Sequence, residues 1–224
     1  MNLIDTLKIW DTYLFLLING LHAPFFDGLM YAVSEKLSWI PLYISVLYVI
    51  INHWKREAIW VILALILCIV ISDQISSGIF KDLVKRLRPS HSEDLKGLVH
   101  LVRGYGGGKY GFASSHAANA FGFALLSSLL LKRNIYTYAI FVWALITAYS
   151  RIYLGVHYPL DILGGFFIGS FAALGCYWII KKYRPVIIQP TPVNRFVGKY
   201  KADIPVIVLI ISYLAIMLYS LFIF

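Results

Sequence analysis

The chain has 224 residues, of which 60% are hydrophobic and only 14% charged, against about 25% charged in a typical soluble protein. That balance excludes a water-soluble globular protein and places the chain in a bilayer; with no polar linker long enough to separate two units, one domain over residues 1–224 is expected. The formal net charge of +9 would suggest nucleic acid in a soluble chain, but most basic residues here flank apolar runs or join one phosphate-like constellation, so no nucleic-acid partner is expected.

Residues 1–36 are apolar in patches and too interrupted to span. Leu3, Leu7, Trp10, Leu14 and Leu17 recur at helical spacing, with Asp5, Lys8 and Asp11 off that stripe, the pattern of a helix lying in the membrane interface. A basic n-region and a small-residue cleavage site are both lacking, so no signal peptide is expected. After Pro24, a second stripe holds Phe26, Leu29, Met30, Val33 and Leu37. Both stretches read as interfacial amphipathic helices. The alternative, a broken transmembrane helix over residues 11–33, is opposed by Asn19, His22 and Asp27.

Six later stretches have the length and polarity of spanning helices, near the roughly 20 residues that a bilayer requires: 38–54, 57–80, 113–131, 134–152, 159–180 and 204–224. The expected fold is therefore an all-α membrane protein, with six transmembrane helices in one bundle over residues 38–224. Cys68 and Cys176 lie inside these spans without metal or CxxC spacing and read as small hydrophobes. The linkers form two sets. His53–Glu57, Lys132–Asn134 and Lys181–Asp203 are basic, whereas the N-terminus, the loop 81–112 and the turn 151–158 carry all the candidate chemistry.

In the first chemical stretch, Lys81, Lys85 and Arg88 fall on one helical stripe that Pro89 ends. Taken alone it reads as a juxtamembrane cluster for anionic lipid heads. Residues 105–116 form a glycine-rich loop that runs into Ser114, Ser115 and His116 at the start of a span, where backbone N–H groups and the helix dipole favour an anion. Ser114 is placed either to cap that helix or to bind phosphate. In the third stretch, Arg151 offers a planar fork to phosphate oxygens. His157 can act as nucleophile or base if one ring nitrogen is held by a carboxylate, and Asp161 is four residues on. Pro159 suits the first turn of a helix, which sets His157 just outside it and Asp161 just inside.

Together these stretches resemble the signature of the type 2 phosphatidic acid phosphatase superfamily of integral membrane lipid phosphatases. Lys81, six residues, Arg88 and Pro89 match its first element; Ser150, Arg151, His157 and Asp161 match its third. The second, normally Pro-Ser-Gly-His, here reads Ala113, Ser114, Ser115 and His116, so a side chain stands where glycine lets backbone approach phosphate. The resemblance implies that His157 attacks phosphorus to form a phosphohistidine, that Asp161 orients the imidazole, and that His116 protonates the leaving oxygen. It further implies that Lys81, Arg88, Arg151, Ser114 and backbone amides near Ser115 hold the phosphoryl oxygens. No metal or other cofactor is expected; three cations near two histidines and a carboxylate oppose a divalent ion. Asp73 is an intramembrane acid expected to brace the site. A related motif binds vanadate in soluble haloperoxidases, which six spans argue against.

Two function classes follow. The first is a phosphatase of a lipid phosphate or pyrophosphate, and the second a non-catalytic lipid-binding or transport protein on the same scaffold. The intact set of His116, His157 and Asp161 favours the enzyme. Expected substrates are undecaprenyl pyrophosphate first and lipid A phosphate second, then phosphatidylglycerol phosphate and phosphatidic acid, with the bilayer as the setting and no obligate protein partner. Lys55, Arg56, Lys132, Arg133, Lys181, Lys182, Arg184, Arg195, Lys199 and Lys201 in the basic linkers are half of the 20 lysines and arginines, and three of the remainder are assigned to phosphate. The positive-inside rule then leans toward cytoplasmic basic linkers, in a bacterial inner membrane with the active site facing outward.

Overall fold

Asn2 begins the helical structure by accepting the Asp5 N–H on its side chain at 2.9 Å, which satisfies one of the free donors at the start of α1 (Leu3–Asn19). The computed structural model describes residues 2–189 and 203–223, and regular structure among them is helical apart from one isolated bridge between Leu87 and Tyr110. The expectations that involve Arg195, Lys199, Lys201 and Phe224 lie outside the described residues. Helix α2 (Pro24–Ser34) opens on proline and lies at 116° to α1. The chain then runs through α3 (Ile40–Trp54) and α4 (Ala58–Asp73), which widens into π-helical turns at Gln74–Phe80 before the short α5 (Lys81–Val84). After the long loop come α6 (Ser115–Leu131), α7 (Asn134–Tyr153), α8 (Pro159–Tyr183), α9 (Pro185–Ile188) and α10 (Ile204–Ile223).

Stretches long and apolar enough to cross a membrane lie in Lys36–Val84, Asn134–Tyr153, Pro159–Tyr183 and Ile204–Phe222; Ser115–Leu131 is a shorter apolar helix. Large apolar side chains such as Ile66, Leu67, Phe171 and Phe222 stand on the outside, Phe171 at 70% exposure. A water-soluble protein rarely tolerates so much exposed apolar surface, and a lipid environment removes its cost. Helix α6 is shorter and sits in the middle, buried through Ala117, Ala118, Phe121, Ala124 and Leu126. Its main partner is α8. A Cβ at Gly165 would come within 2.8 Å of the Ala117 Cβ, and one at Gly169 within 2.8 Å of the Gly122 backbone nitrogen. Glycines four apart on α8 therefore let two backbones meet, as small residues do between membrane helices.

The two linker sets separate to opposite ends. At one end, the Trp54 Nε1–H donates to the Ile187 carbonyl at 3.0 Å, Lys132 donates to the Ile188 carbonyl, and Arg133 pairs with Asp203 at 2.7 Å. At the other, Asn19 donates to the carbonyls of Tyr153 and His100 at 2.7 and 3.0 Å and accepts the His100 N–H. The N-terminal helices, the long loop and the α7–α8 turn are thus one assembly.

Two expectations are corrected. The basic stripe does not reach Arg88: the helix ends at Val84, Lys85 turns left-handed at φ 49°, and Arg88 is extended, its N–H donating to the Lys109 carbonyl. Leu37 does not continue the second stripe, because α2 ends at Ser34 and Glu35 is extended. In α1 the apolar stripe faces outward, with Leu3, Leu7, Trp10, Leu14 and Leu17 all exposed, while Asp11 and Asn19 are buried against the rest of the fold.

Candidate active site

His157 and Asp161 straddle the start of α8. Pro159 supplies the first helical residue without needing a donor there, and Asp161, one turn in, accepts the Tyr158 N–H on Oδ2 at 3.0 Å. The same oxygen lies 3.3 Å from His157 Nδ1, and the imidazole also meets the Gly111 backbone. Both side chains are essentially inaccessible. Burial pushes the His157 imidazole well below the usual histidine range, and the nearby charges of Arg88, Arg151 and Lys81 push the same way. That favours the neutral ring, and a proton on Nδ1 facing the Asp161 carboxylate would put the lone pair on Nε2.

Arg151 lies in the last turn of α7, on the opposite side of the α7–α8 turn. Its carbonyl accepts the N–H groups of both Val156 and His157, so the turn folds back onto the arginine. Gly155 makes that possible at φ +77°, where a Cβ would also lie 2.7 Å from Val99. The Arg151 guanidinium donates to Ser34 Oγ and, at 3.1 Å, to the Tyr105 hydroxyl. Arg88 is 7% exposed and donates through Nε to the Tyr110 carbonyl at 3.1 Å. Gly107, at φ +67°, lies against that guanidinium, and a Cβ there would be 3.0 Å from Arg88 Cζ. The glycine-rich loop is thus shaped to pass over Arg88. Arg88 Nη1 and Arg151 Nε are buried with no hydrogen-bond partner among the described residues, an uncommon state for guanidinium N–H groups.

Lys81 donates to Ser77 at 3.2 Å and lies within electrostatic reach of Arg88, Arg151, Asp73 and Asp161. Ser114 is fully buried and caps α6 by accepting the Ala117 N–H at 3.4 Å, while its own N–H donates to the Asp161 carbonyl at 2.9 Å. Of its two anticipated roles, capping is the one its geometry displays. Ser115 is the first residue of α6 and His116 the second, and His116 lies in the field of Arg151, Arg88 and His157. The structure thus brings together Lys81, Arg88, Ser114, Ser115, His116, Arg151, His157 and Asp161. Asp73 accepts from Asn119 at 3.3 Å and sits beside this group.

Sequence reasoning missed the layer behind these residues. Arg86 Nη1 is 2.7 Å from Asp11 Oδ2 and 3.3 Å from Asp161 Oδ1, and its guanidinium lies 3.8 Å above the Tyr158 ring. Asp11 Oδ1 accepts the Leu160 N–H at 2.8 Å. Helix α1 is thereby tied to the carboxylate that faces His157. A similar tie joins α2, where Asp27 accepts from the Tyr153 hydroxyl at 2.7 Å and lies 3.0 Å from His100 Nε2. The sequence signal for these ties was the set of polar residues interrupting an apolar N-terminus, which fits a surface helix equally well.

The family model described as the PAP2 superfamily matches residues 42–185. The chain is 36% identical over 223 residues to a protein of Bacteroides thetaiotaomicron named lipid A 4'-phosphatase, covering 98% of this chain and 99% of that one. It is 40% identical over 157 residues to a protein of Porphyromonas gingivalis with the same name, covering 70% of this chain and 66% of that one. Among solved structures, a transmembrane PAP2-type phosphatidylglycerolphosphate phosphatase from Bacillus subtilis has the same fold, with a TM-score of 0.60 at 19% identity over 80% of this chain and 88% of that one.

Proposed function

The chain belongs to the PAP2 superfamily, and on that premise we propose that it is a membrane lipid phosphatase that works through a phosphohistidine on His157. The observation that carries this reading is the buried His157–Asp161 pair set within the field of Lys81, Arg88 and Arg151. In the first step, His157 Nε2 attacks phosphorus, the bond from phosphorus to the leaving oxygen breaks, and His116 gives that oxygen a proton. Asp161 balances the charge that develops on the imidazole. In the second step, water loses a proton to His116 and attacks the phosphohistidine, the P–N bond breaks, and phosphate leaves with His157 neutral again. The three cations, with Ser114, Ser115 and nearby amides at the start of α6, stabilise the trigonal phosphoryl group. The scheme uses no metal.

For the substrate, the full-length likeness to a protein named lipid A 4'-phosphatase reverses the order expected from sequence alone. A phosphate ester on the sugar head of a glycolipid comes first and undecaprenyl pyrophosphate second. The reading of the fold is one domain of six spans, α3, α4, α6, α7, α8 and α10, with α1 and α2 in the interface on the active-site side. It is placed in a bacterial inner membrane with that side outward. An apolar groove of about 580 Å³ walled by Phe80, Phe112, Phe167 and Phe171 gives an acyl chain a route from the lipid to the edge of the site. Phosphate release by the purified protein from a panel of these lipids tests the reading. Turnover of a short water-soluble phosphate equal to that of every lipid would overturn lipid access, and release from none would overturn the phosphatase.

A further inference from the structure

Lys36 is a cation beside the phosphate site to which the mechanism above gives no role. It follows Ser34 by two residues, and Ser34 Oγ accepts from the Arg151 guanidinium. The short turn Lys36–Trp39 is pinned to α2. Ser38 Oγ donates to the Ala32 carbonyl at 2.7 Å, and the Trp39 Nε1–H donates to the Val33 carbonyl at 2.8 Å, with the Trp39 ring buried against Trp143. Lys36, Ser34 and His116 are walls of one cavity of about 200 Å³. The fold thus fixes the start of the Lys36 side chain next to the group that holds Arg151.

The cations around the reacting centre divide between its two histidines. Arg88, Arg151 and Lys81 act on His157, whereas His116 lies in the field of Arg151, Lys36 and Arg88. In the scheme above His157 takes the phosphoryl group and His116 meets the leaving oxygen, so Lys36 stands on the leaving side. The Lys36 side chain is exposed and has no ion pair or hydrogen bond among the described residues. An ammonium with no acid partner, facing a histidine already in the field of two guanidinium groups, gains from an anion that comes between them. A neutral alcohol leaving group brings no such charge. The leaving group of a diphosphate does, because the bridging oxygen departs with the inner phosphate, and a compact ammonium with three N–H donors suits it.

We propose that Lys36 binds the inner phosphate of a diphosphate substrate and so sets the preference between a lipid diphosphate and a lipid phosphate monoester. The assignment rests on the phosphatase reading and keeps its covalent chemistry. His157 Nε2 bonds the terminal phosphorus, the bond from that phosphorus to the bridging oxygen breaks with its electron pair on the inner phosphate, and water then releases phosphate from the histidine. With its charge held by Lys36, the departing monoester depends less than an alkoxide on the proton from His116. Lys36 is two residues past the end of α2, so the N-terminal region supplies a substrate contact as well as the Asp11 tie behind the site.

The test measures kcat/KM of the full-length protein in detergent on farnesyl diphosphate and farnesyl monophosphate, which share one tail, for wild type, Lys36→Gln and Lys36→Arg. The ratio of diphosphate to monophosphate is insensitive to the fraction of active protein. It is expected to fall about tenfold in Lys36→Gln, the lower end for a lost hydrogen bond to a charged group, and to stay within about twofold of wild type in Lys36→Arg, which keeps the charge. If wild type acts on the diphosphate alone, KM for it should rise about tenfold in Lys36→Gln instead. A ratio or KM unchanged in Lys36→Gln, the result for an interfacial lysine that only draws lipid head groups, overturns the assignment, as does an equal loss in both variants. So does a wild type that hydrolyses the monophosphate alone. Release from neither farnesyl substrate but from another lipid of the panel also overturns it and leaves the phosphatase reading standing; release from no lipid overturns that reading itself.

Discussion

Replacing Arg86 with methionine tests whether the N-terminal helix helps to build the site. Arg86 is the cation shared by Asp11 and Asp161, at 2.7 and 3.3 Å, and both carboxylates have fully buried side chains. Methionine keeps the packing over Tyr158 but leaves two buried carboxylates facing each other. Removing one partner of a buried ion pair costs about 3–5 kcal/mol. Arg86 keeps 19% of its side chain exposed, so solvent reaches its end of the pair and the lower end, about 3 kcal/mol, is the expectation. For a chain of this size that is roughly 6–12 °C in Tm, measured as the unfolding midpoint in detergent. Asp11→Asn combined with Arg86→Met should recover part of the loss, because one of the stranded charges is gone. Activity should fall more steeply than stability, since Asp161 loses the contact that holds Oδ1 while Oδ2 serves His157. A variant with Tm within 2 °C of wild type and unchanged kcat would refute the reasoning and reduce the tie to a surface contact.

His157→Ala should lower turnover by about 10³-fold or more, as loss of a nucleophile does, and should abolish an acid-labile phosphoenzyme, while the protein still inserts and elutes as a folded species; a phosphoenzyme that persists would assign the nucleophile elsewhere. His116→Ala should cost about 10²–10⁴-fold in kcat/KM, which reports the phosphorylation step, on a lipid alkoxide and far less on a nitrophenyl phosphate, whose leaving group needs no proton; equal losses in kcat/KM on both would remove it as the acid. Gly169→Val should destabilise by about 1–3 kcal/mol through overpacking, because a Cβ there meets the Ala118 and Gly122 backbone; an unshifted Tm would show that α6 and α8 separate easily. For topology, an impermeant thiol reagent on intact cells should label Lys96→Cys and not Arg56→Cys, both exposed positions at opposite ends, and the reverse pattern would invert the orientation. Leu95 is unsuitable for such labelling, being buried against Phe15 and Tyr158.

Much of the spanning architecture was legible in one dimension, because in lipid each helix satisfies its own backbone and advertises itself as an apolar run of fixed length. The expected stretches 134–152 and 159–180 became Asn134–Tyr153 and Pro159–Tyr183. The spacing from His157 to Asp161 was equally readable, since Pro159 starts a helix and four residues across a helix start is a local matter. The positions of Lys81, Arg88, His116 and Arg151 relative to one another were not local. They come from different elements, and tertiary contacts such as the packing of α6 on α8 through Gly165 and Gly169 and the passage of the Gly107 loop over Arg88 are needed to bring them together.

The sequence by itself determined that the chain is an all-helical membrane protein with a phosphate-like set of cations and histidines, because hydropathy length and short motif spacing survive without tertiary information. The tertiary structure alone decided what the polar residues of the N-terminus do. Asp11, Asn19 and Asp27 read as the wet face of a surface helix, and a one-dimensional pattern cannot separate a face turned to water from one turned to a buried arginine or histidine. Their partners, Arg86, His100 and Tyr153, lie 73 to 134 residues away in the chain, beyond the reach of any periodicity. Burial of those pairs gives α1 and α2 a fixed place beside His157 and Asp161, where their apolar stripes alone would leave them free to slide along the membrane surface.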